Sequence, residues 1–112
     1  MIRTFDTGAT RDNDEGKIDY EALLSPRVLR RYGKYMALHA TQSDGTIRSF
    51  DNWQLGIPMD QYMKSMFRHF MDVWEIHRGC NNASIDDALC ALLFNVMGML
   101  HEELKRCDSL RK

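Results

Sequence analysis

Hydrophobic positions along the chain fall into three stretches of helical period, separated by polar segments that carry glycine. Residues 1–24 are rich in Gly, Thr, Asp and Asn with little periodicity, and predict an extended arm or loop. Ser25-Pro26 opens the first predicted helix, with serine as N-cap and proline at the first helical position. Val28, Leu29, Tyr32, Tyr35 and Met36 recur at helical spacing and form its expected buried face. Gly33 weakens this helix by roughly 1 kcal/mol relative to alanine, and it should fade near Ala40. Thr41 to Gly56 is predicted as a loop, with Asp44-Gly45 as a turn and a short extended piece at Thr46–Phe50.

Pro58 starts the second predicted helix, which runs to His77 and stops at Gly79. At about 100° per residue, Met59, Tyr62, Met63, Met66, Phe67, Phe70, Val73 and Trp74 share one broad apolar face. Lys64 and Arg68 fall on the far side, and Ser65, His69, Asp72 and Ile76 form a stripe along the edge of the apolar face. His69 and Asp72 lie three apart, close enough to reach one another or a shared ligand. The following loop, Gly79 to Ala83, is short, so the third helix should return antiparallel.

Ser84-x-x-Asp87 marks the start of that helix as a capping-box-like pattern, and Asp86 and Asp87 suit its positive N-terminus. Asp87, Ala91, Asn95, Gly98 and Glu102 lie along one narrow stripe, with space left beside Asn95 by the small residues. Ile85, Leu89, Leu92, Leu93, Val96 and Leu100 are expected core, so the helix is expected to be buried between partners, in one chain or across an oligomer interface. From Lys105 onward the chain turns polar and should fray.

Composition places these helices in a single domain, 1–112, made of an arm (1–24) and a helical core (25–112). The fold class expected is all-α: a small antiparallel helical bundle. A 44% hydrophobic and 28% charged composition is that of a soluble globular protein. The net charge of −1 argues against a partner such as a nucleic-acid polymer held by a general basic surface. Arg27 to His39 nevertheless carries four Lys or Arg residues and no acid, a local basic face. The longest apolar run, 88–94, is too short for a membrane span, and the polar N-terminus does not read as a signal peptide. Cys80, Cys90 and Cys107 form no CxxC and cannot all pair, which suggests reduced thiols in a cytoplasm.

Each polar feature has a structural explanation beside a functional one. His69 alone fits a hydrogen-bonded boundary histidine, and Asp86 and Asp87 are accounted for by capping. The methionines at 59, 63, 66 and 71 fit gap-filling core, and Trp53 and Trp74 fit simple packing. Asn95 is harder to dismiss, since an unsatisfied buried amide costs roughly 1–3 kcal/mol. Either a helix–helix hydrogen bond or a ligand contact would satisfy it.

The segments FDTGATRDNDEGKIDYEALLSPRVLRRYGKYM, DNWQLGIP, MKSMFRHFMDVW and DDALCALLFNVMGMLHE resemble, in order, a phage family, the dATP/dGTP diphosphohydrolase N-terminal domain. The resemblance runs from about Phe5 to Glu103. Its specific parts are the TGATRD…GK arm, the Asn-Trp-x-x-Gly loop at 52–56, Arg68-His69 and the asparagine of the last helix. It implies an all-α, MazG-like nucleotide pyrophosphohydrolase that splits dGTP or dATP into the monophosphate and pyrophosphate, with Mg²⁺ (or Mn²⁺) as cofactor. It also implies a homodimer or homotetramer with sites between helices, acting in the host cytoplasm.

MazG-like enzymes are similar to one another in an E-x-x-E helix followed by an E-x-x-D helix. Here the first half is at best Asp72-Val-Trp-Glu75, and the second is missing, because Cys90 and Ala91 lie three and four residues after Asp87. On this resemblance, His69, Asp72 and Asp87 are the candidate catalytic residues, and Asp72, Glu75 and Asp87 the candidate Mg²⁺ ligands. Two carboxylates plus substrate phosphates suit Mg²⁺, which commonly keeps waters. Arg11, Lys17, Lys64 and Arg68 are expected to neutralise phosphates, Trp53 to stack on the base, and Asn52 or Asn95 to hydrogen-bond base or sugar. His69 is expected to act as general base or to orient the water. The incomplete metal motif leaves two other readings: a nucleotide-sequestering protein without turnover, and a helical interaction module.

Overall fold

The computed structural model describes residues 2–110. The arm is more structured than its composition suggested. Strands β1 (Ile2–Thr4) and β2 (Thr10–Asp12) pair antiparallel, with Arg3 opposite Arg11. Between them the Phe5 amide donates to the Ala9 carbonyl at 2.8 Å, and Gly8 takes a φ of 90° that suits glycine. Arg3 makes two 3.0 Å hydrogen bonds to Asp14, which offsets the like charge across the ladder. One helical turn, α1 (Tyr20–Leu23), follows, capped by Asp19. Every strand residue is exposed, so no alternation of apolar and polar positions marked this hairpin.

Helix α2 (Pro26–Leu38) begins as its sequence dictates: the Ser25 hydroxyl accepts from the Val28 amide at 3.2 Å, and Pro26 occupies the first turn. Its expected buried face is only partly buried. Tyr32, Tyr35 and Met36 are half-covered, whereas Val28 and Leu29 are exposed. Between α2 and the next long helix, the Arg48 amide donates to the carbonyl of buried Ala40. The extended piece expected at 46–50 reduces to a single bridge, Thr41 with Ile47, and Asn52–Leu55 forms a 3-10 turn.

Helices α3 (Met59–His77) and α4 (Ile85–Leu110) form the antiparallel hairpin predicted from the short loop. Their seam is built from small residues. Ala88, Ala91, Asn95 and Gly98, alternately three and four apart, are buried against α3, and Tyr62 is 1% exposed above them. This spacing is the knobs-into-holes period of supercoiled helices. Small side chains let the two axes approach, and they use the face of α4 that carries Asn95.

The larger apolar residues therefore point elsewhere. Ile85, Leu89, Leu93, Val96 and Leu100, expected as core, are exposed, as are Met63, Phe67, Phe70 and Trp74 of the broad α3 face. Each helix carries two apolar stripes, and periodicity does not say which one packs within the chain. Helix α4 continues past the expected fraying point: Lys105 pairs with Glu102 and Arg106 with Glu103, each one turn back, and it remains helical to Leu110. Residues 111 and 112 lie outside the described part. Among the described residues the protein is mostly helical with one small two-stranded sheet, and no helix is long and apolar enough to cross a membrane.

Candidate functional site

Asp87 stands in the first turn of α4, where its carboxylate both suits the helix N-terminus and meets Arg31 of α2. The guanidinium donates to Asp87 Oδ1 at 2.5 Å, and its Nε lies 3.9 Å from Asp86. The hydrogen bond to Asp87 holds the Arg31 pKa above its ordinary value. On α3, His69 Nδ1 lies 3.8 Å from Asp72 Oδ2, an ion-pair distance when the ring is protonated. Both side chains are half-buried on α3.

These residues share one cavity. His69, Asp72 and Ile76 of α3 line a space of about 300 Å³ together with Ser84, Asp87, Ala88 and Ala91 of the α4 end, and Tyr35 and His39 of the α2 end. All three candidate catalytic residues, His69, Asp72 and Asp87, are thus brought to one wall system. Tyr35 and His39 also line a second cavity of about 270 Å³, with Arg48, Phe50, Asn52, Trp53 and Phe94. Trp53 is held edge-on against His101, with ring centroids 4.8 Å apart. The second cavity offers aromatic and apolar walls with a few polar groups, the usual make-up of a small-molecule site.

His39 and Tyr35 sit at the junction. Their rings stack at 3.9 Å, and His39 Nδ1 lies 2.9 Å from the Tyr35 carbonyl. A carbonyl only accepts, so Nδ1 carries the proton and Nε2 is the free position of a neutral ring. Burial, and then Asp87, raise the Tyr35 pKa. Burial pushes the Cys90 thiol up as well, partly opposed by Arg31, so this cysteine is not an activated thiolate.

Several expected ligand residues lie away from both cavities. Arg11 sits in β2 and Lys17 in the exposed turn after it. Lys64 is exposed and 4.0 Å from Asp60, while the exposed Arg68 donates to Ser65 one turn back in α3. Asn95 is buried in the seam and donates to the Ala91 carbonyl at 2.8 Å, one turn back in its own helix. Asn52 and Trp53 do line the aromatic cavity. Three residues that sequence reasoning missed, Arg31, Tyr35 and His39, come from the base-rich 27–39 stretch, whose lack of acids was the available signal.

The fit of a divalent cation follows from the donors. Asp72 and Asp87 face the same cavity, but Glu75 is exposed on α3 and does not line it. Among the described residues no three His, Cys, Asp or Glu side chains gather as they would around a metal ion. The chain supplies two carboxylates, one already engaged by Arg31, so the remaining oxygens would have to come from a bound ligand and water. Comparison with protein-family models, curated proteins and solved structures finds no match for this chain.

Proposed function

We propose that the chain is a MazG-like nucleotide pyrophosphohydrolase that cleaves dGTP or dATP to the monophosphate and pyrophosphate. The observation that carries this reading is the pair of adjoining cavities: His69, Asp72 and Asp87 in one, Trp53 and Asn52 in the other, joined at Tyr35 and His39. A purine fits between the aromatic walls near Trp53, with Asn52 available to its edge. The triphosphate then reaches toward Asp72 and Asp87. Asp72 and Asp87 are the residues that would hold Mg²⁺, which would supply charge neutralisation and Lewis acidity.

In this reading His69 accepts a proton from the attacking water, and Asp72 stabilises the imidazolium that forms. Water oxygen bonds to the α-phosphorus, the α–β bridging P–O bond breaks, and pyrophosphate leaves. Arg31 is released from Asp87 to a phosphate, where its planar fork gives paired hydrogen bonds. Such a protein, encoded by a phage, acts in the host cytoplasm.

A second reading, nucleotide sequestration without turnover, draws support from the lack of a three-ligand cluster and from the Arg31–Asp87 pair. Purified protein incubated with dGTP or dATP and Mg²⁺ separates the two. Pyrophosphate release that is lost in Asp87→Ala and kept in Lys105→Ala supports the hydrolase. Retention of intact nucleotide without product removes that reading in favour of sequestration, and no binding of any nucleotide removes both.

A further inference from the structure

The aromatic cavity carries a charged side chain that nothing else in the fold uses. Arg48 lines it beside Phe50, Asn52 and Trp53, and no Lys, Asp or Glu does. The backbone at Arg48 is fixed, since its amide donates to the carbonyl of buried Ala40 at 2.8 Å. Its guanidinium is exposed and makes no hydrogen bond or ion pair among the described residues. The acids of the same loop are engaged elsewhere. Asp44 accepts from the Thr46 amide and hydroxyl, and Asp51 accepts from the Ser49 hydroxyl.

A guanidinium donates through N–H groups set as a rigid fork and accepts nothing. The two purines named for this cavity differ at the edge such a fork recognises. Guanine shows two acceptors there, O6 and N7, whereas adenine shows N7 beside an amino group that itself donates. Against the first edge the fork makes two parallel hydrogen bonds. Against the second it makes one and sets N–H against N–H. Asn52, with a donor and an acceptor on one amide, can meet either base and so does not make the choice. Hypoxanthine presents the same O6 and N7 as guanine and lacks only the exocyclic amino group.

We propose that Arg48 is the specificity-determining residue of the aromatic cavity, selecting keto purines, guanine and hypoxanthine alike, over adenine. This selection rests on the nucleotide reading of the two cavities, and it divides the substrates which that reading leaves equal. The anchored backbone brings the fork to a base stacked near Trp53 from one fixed side.

Isothermal titration of the full chain with the α,β-methylene analogues of dGTP, dITP and dATP tests this, since these bind without being cleaved. The dGTP and dITP analogues should bind tighter than the dATP analogue by roughly 5- to 150-fold, the range for one bidentate contact to a base edge. Arg48→Met keeps an apolar stem and removes the donors. It should bring those two affinities down to that of the dATP analogue, which itself stays unchanged. Arg27→Met on exposed α2 should alter none of the three. A test on the native chain uses the 7-deazaguanine analogue, which carries C–H in place of N7 and should bind more weakly than the dGTP analogue. Equal affinity of the native chain for all three bases overturns the selection and keeps the nucleotide reading. So does Arg48→Met weakening all three alike, which assigns the guanidinium to a phosphate, or a 7-deazaguanine analogue that binds as well as guanine. If no analogue binds, the nucleotide reading itself falls, and base selection falls with it.

Discussion

The Tyr62 ring lies directly over Gly98, and a Cβ at position 98 would sit 2.5 Å from Tyr62 Cε1 and from its hydroxyl oxygen. The glycine is required by this contact, since it lies within α4 and has no positive φ. Gly98→Ala should improve helix propensity by about 1 kcal/mol and still destabilise the protein, because overpacking a tight seam costs about 1–3 kcal/mol. Urea unfolding reads the sign. A stabilised variant would mean that the seam opens more easily than its packing indicates.

The same tyrosine carries a buried hydroxyl without a hydrogen-bond partner, as does Oε1 of Glu102 nearby. Stranding a polar group costs about 1–3 kcal/mol, so Tyr62→Phe should leave stability unchanged or raise it. Tyr62→Ala, which empties the seam, should cost about 3–5 kcal/mol. A clear loss in Tyr62→Phe would show that the hydroxyl is satisfied in solution.

Tyr32 links α2 to α4 and gives a pH signature. Burial, and then the Cys90 charge, push its pKa from 10.0 to about 12. The folded state therefore holds the proton more tightly than the unfolded chain. This contribution is fully present below pH 10 and is lost as pH rises from there through about 12. Denaturation midpoints should fall over that window in the native chain and fall less in Tyr32→Phe. Parallel decline in both would assign alkaline sensitivity to other groups.

Trp53 is the residue on which the nucleotide reading depends most directly. Stacking on an aromatic side chain is worth about 1–3 kcal/mol per base, so Trp53→Ala should weaken dGTP binding by roughly 5- to 150-fold. Isothermal titration gives the value. Affinity unchanged in Trp53→Ala would place the base outside this cavity.

The helices were legible in the sequence wherever a local signal fixed them. Ser25-Pro26, Pro58 and Ser84-x-x-Asp87 each set a helix start at or within one residue of where it stands. The β1–β2 hairpin was not legible, because its pairing rests on backbone bonds with no buried side chain to create a pattern. The seam was half legible. The stripe Ala91, Asn95, Gly98, Glu102 was visible as a line, but its small residues read as space beside Asn95, open to a neighbouring helix or a ligand, when they serve close helix approach. His69, Asp72 and Asp87 come together because antiparallel return places the end of α3 beside the start of α4. Arg68 and Lys64 could not join them, since helical phase turns them outward. Arg31 lies 56 residues from Asp87, beyond the reach of any local pattern.

The short connection between α3 and α4 also sets an order of assembly. Their seam closes across residues 78–84, a small loop-closure cost, whereas α2 must be brought back across the whole 39–58 segment. Contacts near in sequence form sooner, so the hairpin should be the early nucleus and α2 a late arrival. A cavity-creating change at Leu92 should slow refolding, while one at Tyr32 should mainly speed unfolding. Stopped-flow kinetics of the two variants would show it. The cavity holding His69 and Asp87 would then be completed last, when Tyr35 and His39 close its third side, and lost first when the protein begins to open.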